Sequence, residues 1–473
     1  MTESAETLLI RRPSLWASSA QRVILLFFAA LNILLAFFAI PEGSYQAAAD
    51  VAVSMEPARA LLAGQGLVHP NGELYTWGTP LYPLFLAFFV GLFPWKIALS
   101  AIVSVQCLLL YATGLLTRRL TALFAPGAAT LAQIFLLFNP NMVISAHLLQ
   151  TEILFTFLLT AGIVLLLDFP GDFSWRRAAA SGFCVGLATL VRPAGQFVIL
   201  LLPLLFVLLG VWKKRGFFVR SLGAGGLAFI MAILVVSPWV ARNQVRFGTP
   251  FLTTNAGLYL EAQYRQLLHN GYNMADAETG AAGEARVSQR LAEVGLDSGA
   301  MQRAPMIVRS RILSGIYLDA ILDVPVAIHA KAMVESVAQL YIAGGASNIC
   351  NYLGIAGKQA IVQFQGENRA GLMEAVQRFL SRIDFGYAAL LALTFGYTII
   401  MRLVGLAGLV RMVRTALPQT LALVAVLAVL TLSYLYLGQS RFRVPLEPIL
   451  AVMAAVGFAR WFSPSPSKHG GAA

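Results

Sequence analysis

The sequence predicts an all-α polytopic membrane protein of about ten transmembrane helices, with juxtamembrane helices and one larger periplasmic segment. Three observations lead there. Hydrophobic residues make up 58% of the 473-residue chain and charged residues 12%, with a mean hydropathy of +0.73, which leaves too little polar surface to coat a water-soluble globule of this size. Apolar runs of the length a bilayer asks for, roughly 20 residues, recur along the chain. The basic residues gather in short clusters between those runs, where the formal charge of +12 suits anionic headgroups and membrane topology, so no nucleic-acid function is expected.

Ten runs qualify: 23–40, 98–117, 126–143, 152–167, 178–194, 196–212, 221–240, 385–401, 417–437 and 444–459. Arg11, Arg12 and Arg22 precede the first, Arg118 and Arg119 follow the second, and Arg176 and Arg177 precede the fifth. Lys213, Lys214, Arg215 and Arg220 separate the sixth from the seventh; Arg402, Arg411 and Arg414 follow the eighth, and Arg460 the tenth. With both termini cytoplasmic, every cluster falls on the cytoplasmic side, as the positive-inside rule asks. A further apolar stretch, 79–95, contains Pro80, Pro83 and Pro94 and would invert every later loop if it crossed, so it reads as an interfacial or re-entrant helix on the outer face. A cleaved signal peptide ending at Ala47-Ala48-Ala49 is the rival reading of the first run, but the apolar core is long and the gap to the alanines wide.

The expected organisation is an N-terminal transmembrane module over 1–240 with its first periplasmic loop at 41–97, then a periplasmic and juxtamembrane segment over 241–384. Within that segment the apolar run 332–346 is expected to pack back on the membrane surface. Residues 385–462 supply the C-terminal transmembrane helices and 463–473 a disordered cytoplasmic tail. Cys107, Cys184 and Cys350 form neither a disulfide framework nor a metal-spacing motif.

Acidic residues are scarce, so those at the outer membrane boundary stand out. Asp50 begins Asp50-x3-Ser54-x3-Ala58, whose four-residue steps share one helical face, although Pro57 would kink that helix or start a second. A carboxylate there suits a general base, or the cap of a juxtamembrane helix. Glu152 opens the fourth run, where the helix dipole also favours it. His147 has no second histidine at ligand spacing and reads as a polar interfacial residue. Arg441 and Arg443, in Gly438-Gln439-Ser440-Arg441-Phe442-Arg443-Val444-Pro445, place positive charge on the outer side against the topological bias. A guanidinium fork suits a phosphate; the alternative is that both snorkel to lipid headgroups. Arg192-Pro193 and, after Pro238-Trp239, Arg242-Asn243 are weaker signals of the same kind.

Together these residues resemble the C-fold (GT-C) membrane glycosyltransferases, in the branch of the protein O-mannosyltransferases and the lipid A aminoarabinose transferase. The likeness rests on Asp50 with Ala58, Leu61 and Gly64; Pro80-Leu81-Tyr82-Pro83; Asn139-Pro140 followed by Glu152; Leu190-Val191-Arg192-Pro193; Pro238-Trp239-Val240-Ala241-Arg242-Asn243; and Arg441-Phe442-Arg443-Val444-Pro445. Ser54 stands where the family has a tyrosine. The resemblance implies a bacterial inner-membrane enzyme that transfers a sugar, with inversion, from a polyprenyl-phosphate-linked donor. The acceptor, presented at the periplasmic face, would be a glycolipid such as lipid A, a polysaccharide or a protein. Asp50 would be the base, and Glu152 would position the acceptor or help hold a divalent cation, the one cofactor in view. Arg441, Arg443 and Arg192 would bind the donor phosphate, and Tyr82, Arg242 and Asn243 the substrate; no metal ligand is assigned. A transporter or flippase for a lipid-linked substrate is the rival from another class, and predicts internal repeats and charges near the middle of spanning helices. The sequence shows neither. A polysaccharide polymerase or ligase shares the lipid-linked substrate and a large outer loop.

Overall fold

The computed structural model describes residues 19–38, 51–167, 174–212, 218–293, 295, 298–354 and 385–462. No strand occurs among them, only an isolated antiparallel bridge between Val68 and Leu74. After α1 (Ser19–Phe38) come two shorter helices, α2 (Val51–Leu62) and α3 (Leu81–Leu92), and then α4 (Trp95–Ala122). α5 (Ala129–Leu137) and α6 (Pro140–His147) divide the third apolar run; α7 (Glu152–Leu167), α8 (Trp175–Val191), α9 (Gly195–Val211) and α10 (Phe218–Phe247) form the next four. The polar segment folds as α11 (Ala256–Tyr272), α12 (Asp276–Glu293), α13 (Ser298–Arg303), α14 (Met306–Leu322), α15 (Val326–Ile342) and α16 (Ala346–Leu353). α17 (Phe385–Thr415), α18 (Leu417–Tyr434) and α19 (Glu447–Phe462) follow.

The described part of each apolar run is therefore mostly helical, but the expected count of ten spans is not confirmed. By length and composition six described helical segments can cross a membrane, or up to eight if the bent pairs α5–α6 (52°) and α14–α15 (106°) each count as one. α7 and α9 are apolar but only 16 and 17 residues long, at the lower limit for a 30 Å core. α3 has 12 residues and rises about 18 Å, too short to cross, and ends ahead of Pro94.

Local chemistry explains several boundaries. Asn139 caps α6, its side chain accepting from the Asn141 amide at 2.9 Å, with Pro140 at the first helical position where no amide hydrogen is missed. Pro57, expected to kink the helix after Asp50 or start a second, lies buried within α2, so no second helix begins there. α17 and α19 lie in backbone contact. A Cβ on Gly408 would strike the Met453 carbonyl and one on Gly457 the Val404 carbonyl, so only glycine fits at either crossing. The stretch 332–346, expected on the membrane surface, packs one face of α15 against protein through buried Ala332, Ser336 and Leu340 and leaves Val334 exposed on the other.

Candidate functional site

Proline shapes both segments that supply the site's arginines. The residue before a proline is pushed out of the helical region, so α8 stops at Val191 and Arg192 is extended, with φ −148° and ψ 127°. Its guanidinium turns toward the first turn of α7. Between α18 and α19, Ser440–Leu446 coils as a 3-10 helix containing Pro445. Such a helix turns about 120° per residue, so Arg441 and Arg443, two positions apart, leave it on different sides.

They reach different partners. Arg192 Nη1 lies 2.8 Å from Glu152 Oε1, and Arg441 Nε lies 3.6 Å from the same oxygen. The Glu152 side chain is 1% exposed, Arg192 12% and Arg441 29%, so the carboxylate is sealed while both cations keep an open edge. The Thr151 hydroxyl donates to Glu152 Oε2 at 3.4 Å. Aromatic faces complete the setting: the Arg192 guanidinium lies 5.4 Å from the Phe442 ring and 5.9 Å from Tyr434, and Arg441 lies 5.1 Å from Phe442. Tyr434 and Phe442 stack with centroids 4.6 Å apart. A cation over such a face gains about 0.5–2 kcal/mol, which here orients both guanidiniums. Two arginines around one carboxylate leave an excess positive charge suited to an anion.

Arg443 is elsewhere, which corrects its expected role at the donor phosphate. It is wholly buried, with Nε 2.5 Å from Glu447 Oε1 and Nη1 donating to the Leu340 carbonyl at 2.6 Å. Arg402 Nη2 donates to the same Glu447 oxygen at 2.7 Å. Arg402, expected among the cytoplasmic flanking charges of the eighth run, thus sits within α17, which continues to Thr415 with Arg414 in its last turn. The triad joins α15, α17 and α19. Glu447 was overlooked in the sequence, although its spacing of four from Arg443 was a usable signal.

A cavity of about 290 Å³ opens beside Glu152, Arg192 and Arg441, walled by Ser54 of α2, Tyr82 of α3, Thr79, and the loop residues Tyr75 and Trp77. Tyr82 is 1% exposed and its hydroxyl donates to Gln106 Oε1 at 3.1 Å. Gln106, a polar residue inside an apolar run, also escaped the sequence reading. Arg242 and Asn243 do not line the cavity, against their expected contact with substrate. Arg242 donates to the Tyr75 carbonyl at 2.9 Å and to Asn243 Oδ1 at 2.7 Å, and Asn243 donates to the Phe251 carbonyl at 2.9 Å. They brace the wall, helped by the Thr254 amide donating to the Thr76 carbonyl at 2.8 Å. His69 Nε2 accepts from the Thr76 amide at 3.3 Å. Burial holds the His69 pKa below its ordinary 6.5, with Glu73 opposing and Arg242 reinforcing the shift.

Asp50 lies outside the described residues; Val51, next in the chain, opens α2. His147 is a structural link, contacting Asn32 Oδ1 at 2.9 Å and the Tyr352 hydroxyl at 3.1 Å. Among the described residues no three His, Cys, Asp or Glu side chains gather as a metal site. Glu152, clasped by two guanidiniums, does not fit a divalent cation.

No family model matches the sequence, and no curated protein does. Solved structures similar in fold include the oligosaccharyltransferase AglB from Archaeoglobus fulgidus in complex with an inhibitory peptide and a dolichol-phosphate, at 15% identity and a TM-score of 0.49, covering 94% of this chain. The chain spans about half of that protein's length, 51%. ArnT from Cupriavidus metallidurans bound to undecaprenyl phosphate is similar at 13% identity and a TM-score of 0.38, over 94% of this chain and 79% of that one.

Proposed function

We propose that this chain is a membrane glycosyltransferase that moves a sugar from a polyprenyl-phosphate carrier to a glycolipid, polysaccharide or protein acceptor at the periplasmic face of a bacterial inner membrane. The observation that carries the reading is the convergence of Arg192 and Arg441, from segments far apart in sequence, on the sealed carboxylate of Glu152 at the wall of a cavity. When the bond between the sugar anomeric carbon and the phosphate oxygen breaks, negative charge grows on the departing phosphate. Oriented guanidiniums in a poorly solvated site stabilise that charge without reorganising. The acceptor hydroxyl attacks the opposite face of the anomeric carbon and loses its proton to Asp50, the base assigned by family resemblance. Glu152 acts as a positioning residue, holding both arginines in register.

A purified sample incubated with undecaprenyl-phosphate-linked monosaccharides and an extract of envelope acceptors should release undecaprenyl phosphate, and Asp50→Asn should slow release by about 10²–10⁴. Wild type that carries no polyprenyl phosphate on purification, by mass spectrometry, and releases none would end the reading. One observation favours a transporter: Arg402 lies within an apolar helix, as ion pathways often require. Against it, Arg402 is locked on Glu447. Movement of labelled lipid-linked sugar across proteoliposomes without transfer would support that alternative.

A further inference from the structure

We propose that Thr79 and Tyr82 form a wall that recognises a hydroxyl of the transferred sugar; this rests on the carrier reading above and adds which part of the donor lies where. Thr79 lines the cavity, is 3% exposed, and its Oγ1 has no hydrogen-bond partner among the described residues. A buried polar group left in this state costs about 1–3 kcal/mol, and nearly all buried polar groups in folded proteins are paired. Threonines elsewhere in the bundle show the ordinary remedy: Thr113, Thr117 and Thr121 each donate to the carbonyl four residues back. Thr79 precedes α3 and has no helical turn behind it to supply such a carbonyl.

Tyr82, three residues on, lines the same cavity, and Gln106 sets the sense of its hydroxyl. Gln106 Nε2 donates to the carbonyls of Ala146 at 3.0 Å and Leu148 at 2.8 Å. Carbonyls only accept, so the amide has one orientation and Oε1 must face Tyr82. The Tyr82 proton is thereby committed to Gln106, at 3.1 Å, and toward any ligand Tyr82 is an acceptor alone. Thr79 keeps both roles. A ligand group at this wall must donate to Tyr82, while Thr79 can accept from it or donate to it, and a sugar hydroxyl meets both. A phosphate oxygen only accepts and cannot pair with Tyr82. The phosphate of the donor goes to Arg192 and Arg441, and the wall is left for the sugar.

The test uses the near-isosteric variants Thr79→Val and Tyr82→Phe in detergent micelles with two probes. One is undecaprenyl phosphate; the other is the tightest-binding member of a panel in which that carrier bears a neutral hexose, an N-acetylhexosamine or an aminopentose. Thr79→Val should weaken the sugar-bearing probe about 2- to 10-fold, the measure of one neutral hydrogen bond, and leave bare carrier unchanged. Its ligand-free thermal midpoint should stay level or rise, because the unpaired hydroxyl is gone. Tyr82→Phe should likewise spare the bare carrier. Arg441→Lys should weaken both probes. Equal weakening of both probes by Thr79→Val, or of neither, overturns the hydroxyl wall while the carrier reading stands. Wild type that binds neither probe overturns the carrier reading, and the wall with it.

Discussion

Arg441 and Arg443 sit two residues apart and separate two kinds of consequence. Arg441→Lys keeps its charge but loses the fork, so transfer at subsaturating donor should fall while the melting midpoint holds. Arg443→Met leaves Glu447 paired with Arg402 but removes its second charged hydrogen bond, and should cost about 1.5–3 kcal/mol of stability, read as loss of folded yield in detergent. Full transfer and a normal midpoint in both variants would remove the distinction. His69 adds a pH limb. Its folded pKa lies below the unfolded value of 6.5, so its contribution is complete above that value and is lost as pH falls through the folded pKa. Protonation also removes the acceptor that holds the Thr76 amide, loosening the cavity wall. Transfer should therefore decline on the acid side, and His69→Asn should flatten that decline; an unchanged acid limb in the variant would clear His69 of any part in it. Glu152, Arg192 and Arg441 were visible in the sequence as rare charges at a membrane boundary. Arg443 was grouped with Arg441 because both lie in one outer turn; its four-residue spacing to Glu447 was passed over, and the 3-10 rotation of Ser440–Leu446 sends the two side chains to different partners.

At the level of helices, close contacts rather than propensity hold the site in register. α17 and α19 touch through Gly408 and Gly457, where an added methyl meets backbone carbonyls that cannot swing aside. Gly408→Leu should separate the two helices and disturb the Arg402–Glu447–Arg443 triad with them, lowering the midpoint more than Gly396→Leu, whose position opens onto empty space. Equal effects of the two would mean the crossing is not tight. The helices themselves were legible because apolar runs of bilayer length have few other solutions. Their ends were less so. The eighth run was read as stopping at Arg402, since a charge at the edge of an apolar run resembles a flank, and a partner on α19 is invisible to a linear scan. Gln106 was passed over for the same reason: its carbonyl partners, Ala146 and Leu148, are distant in the chain.

For the molecule as a whole, the basic clusters predict that reporters fused after Arg119 or Arg177 lie on one side of the membrane and one near Gln263 on the other. A reporter at Gln263 sharing the side of Arg119 would refute that orientation. The buried triad bears on how such a chain is made. An arginine at the bilayer centre costs about 2.5–3.5 kcal/mol, an upper bound for Arg402 midway along the 31-residue α17, and Arg402 enters while its counter-charge, Glu447, is still unsynthesised. During translation α17 is therefore an awkward guest of the bilayer, held by the insertion machinery or slid toward the interface until α19 emerges and neutralises it. Nascent chains arrested before Glu447 should remain extractable by alkali or crosslinked to the insertase, and should become firmly embedded once the last helix is released. The final helix would then act as the bolt that closes the bundle.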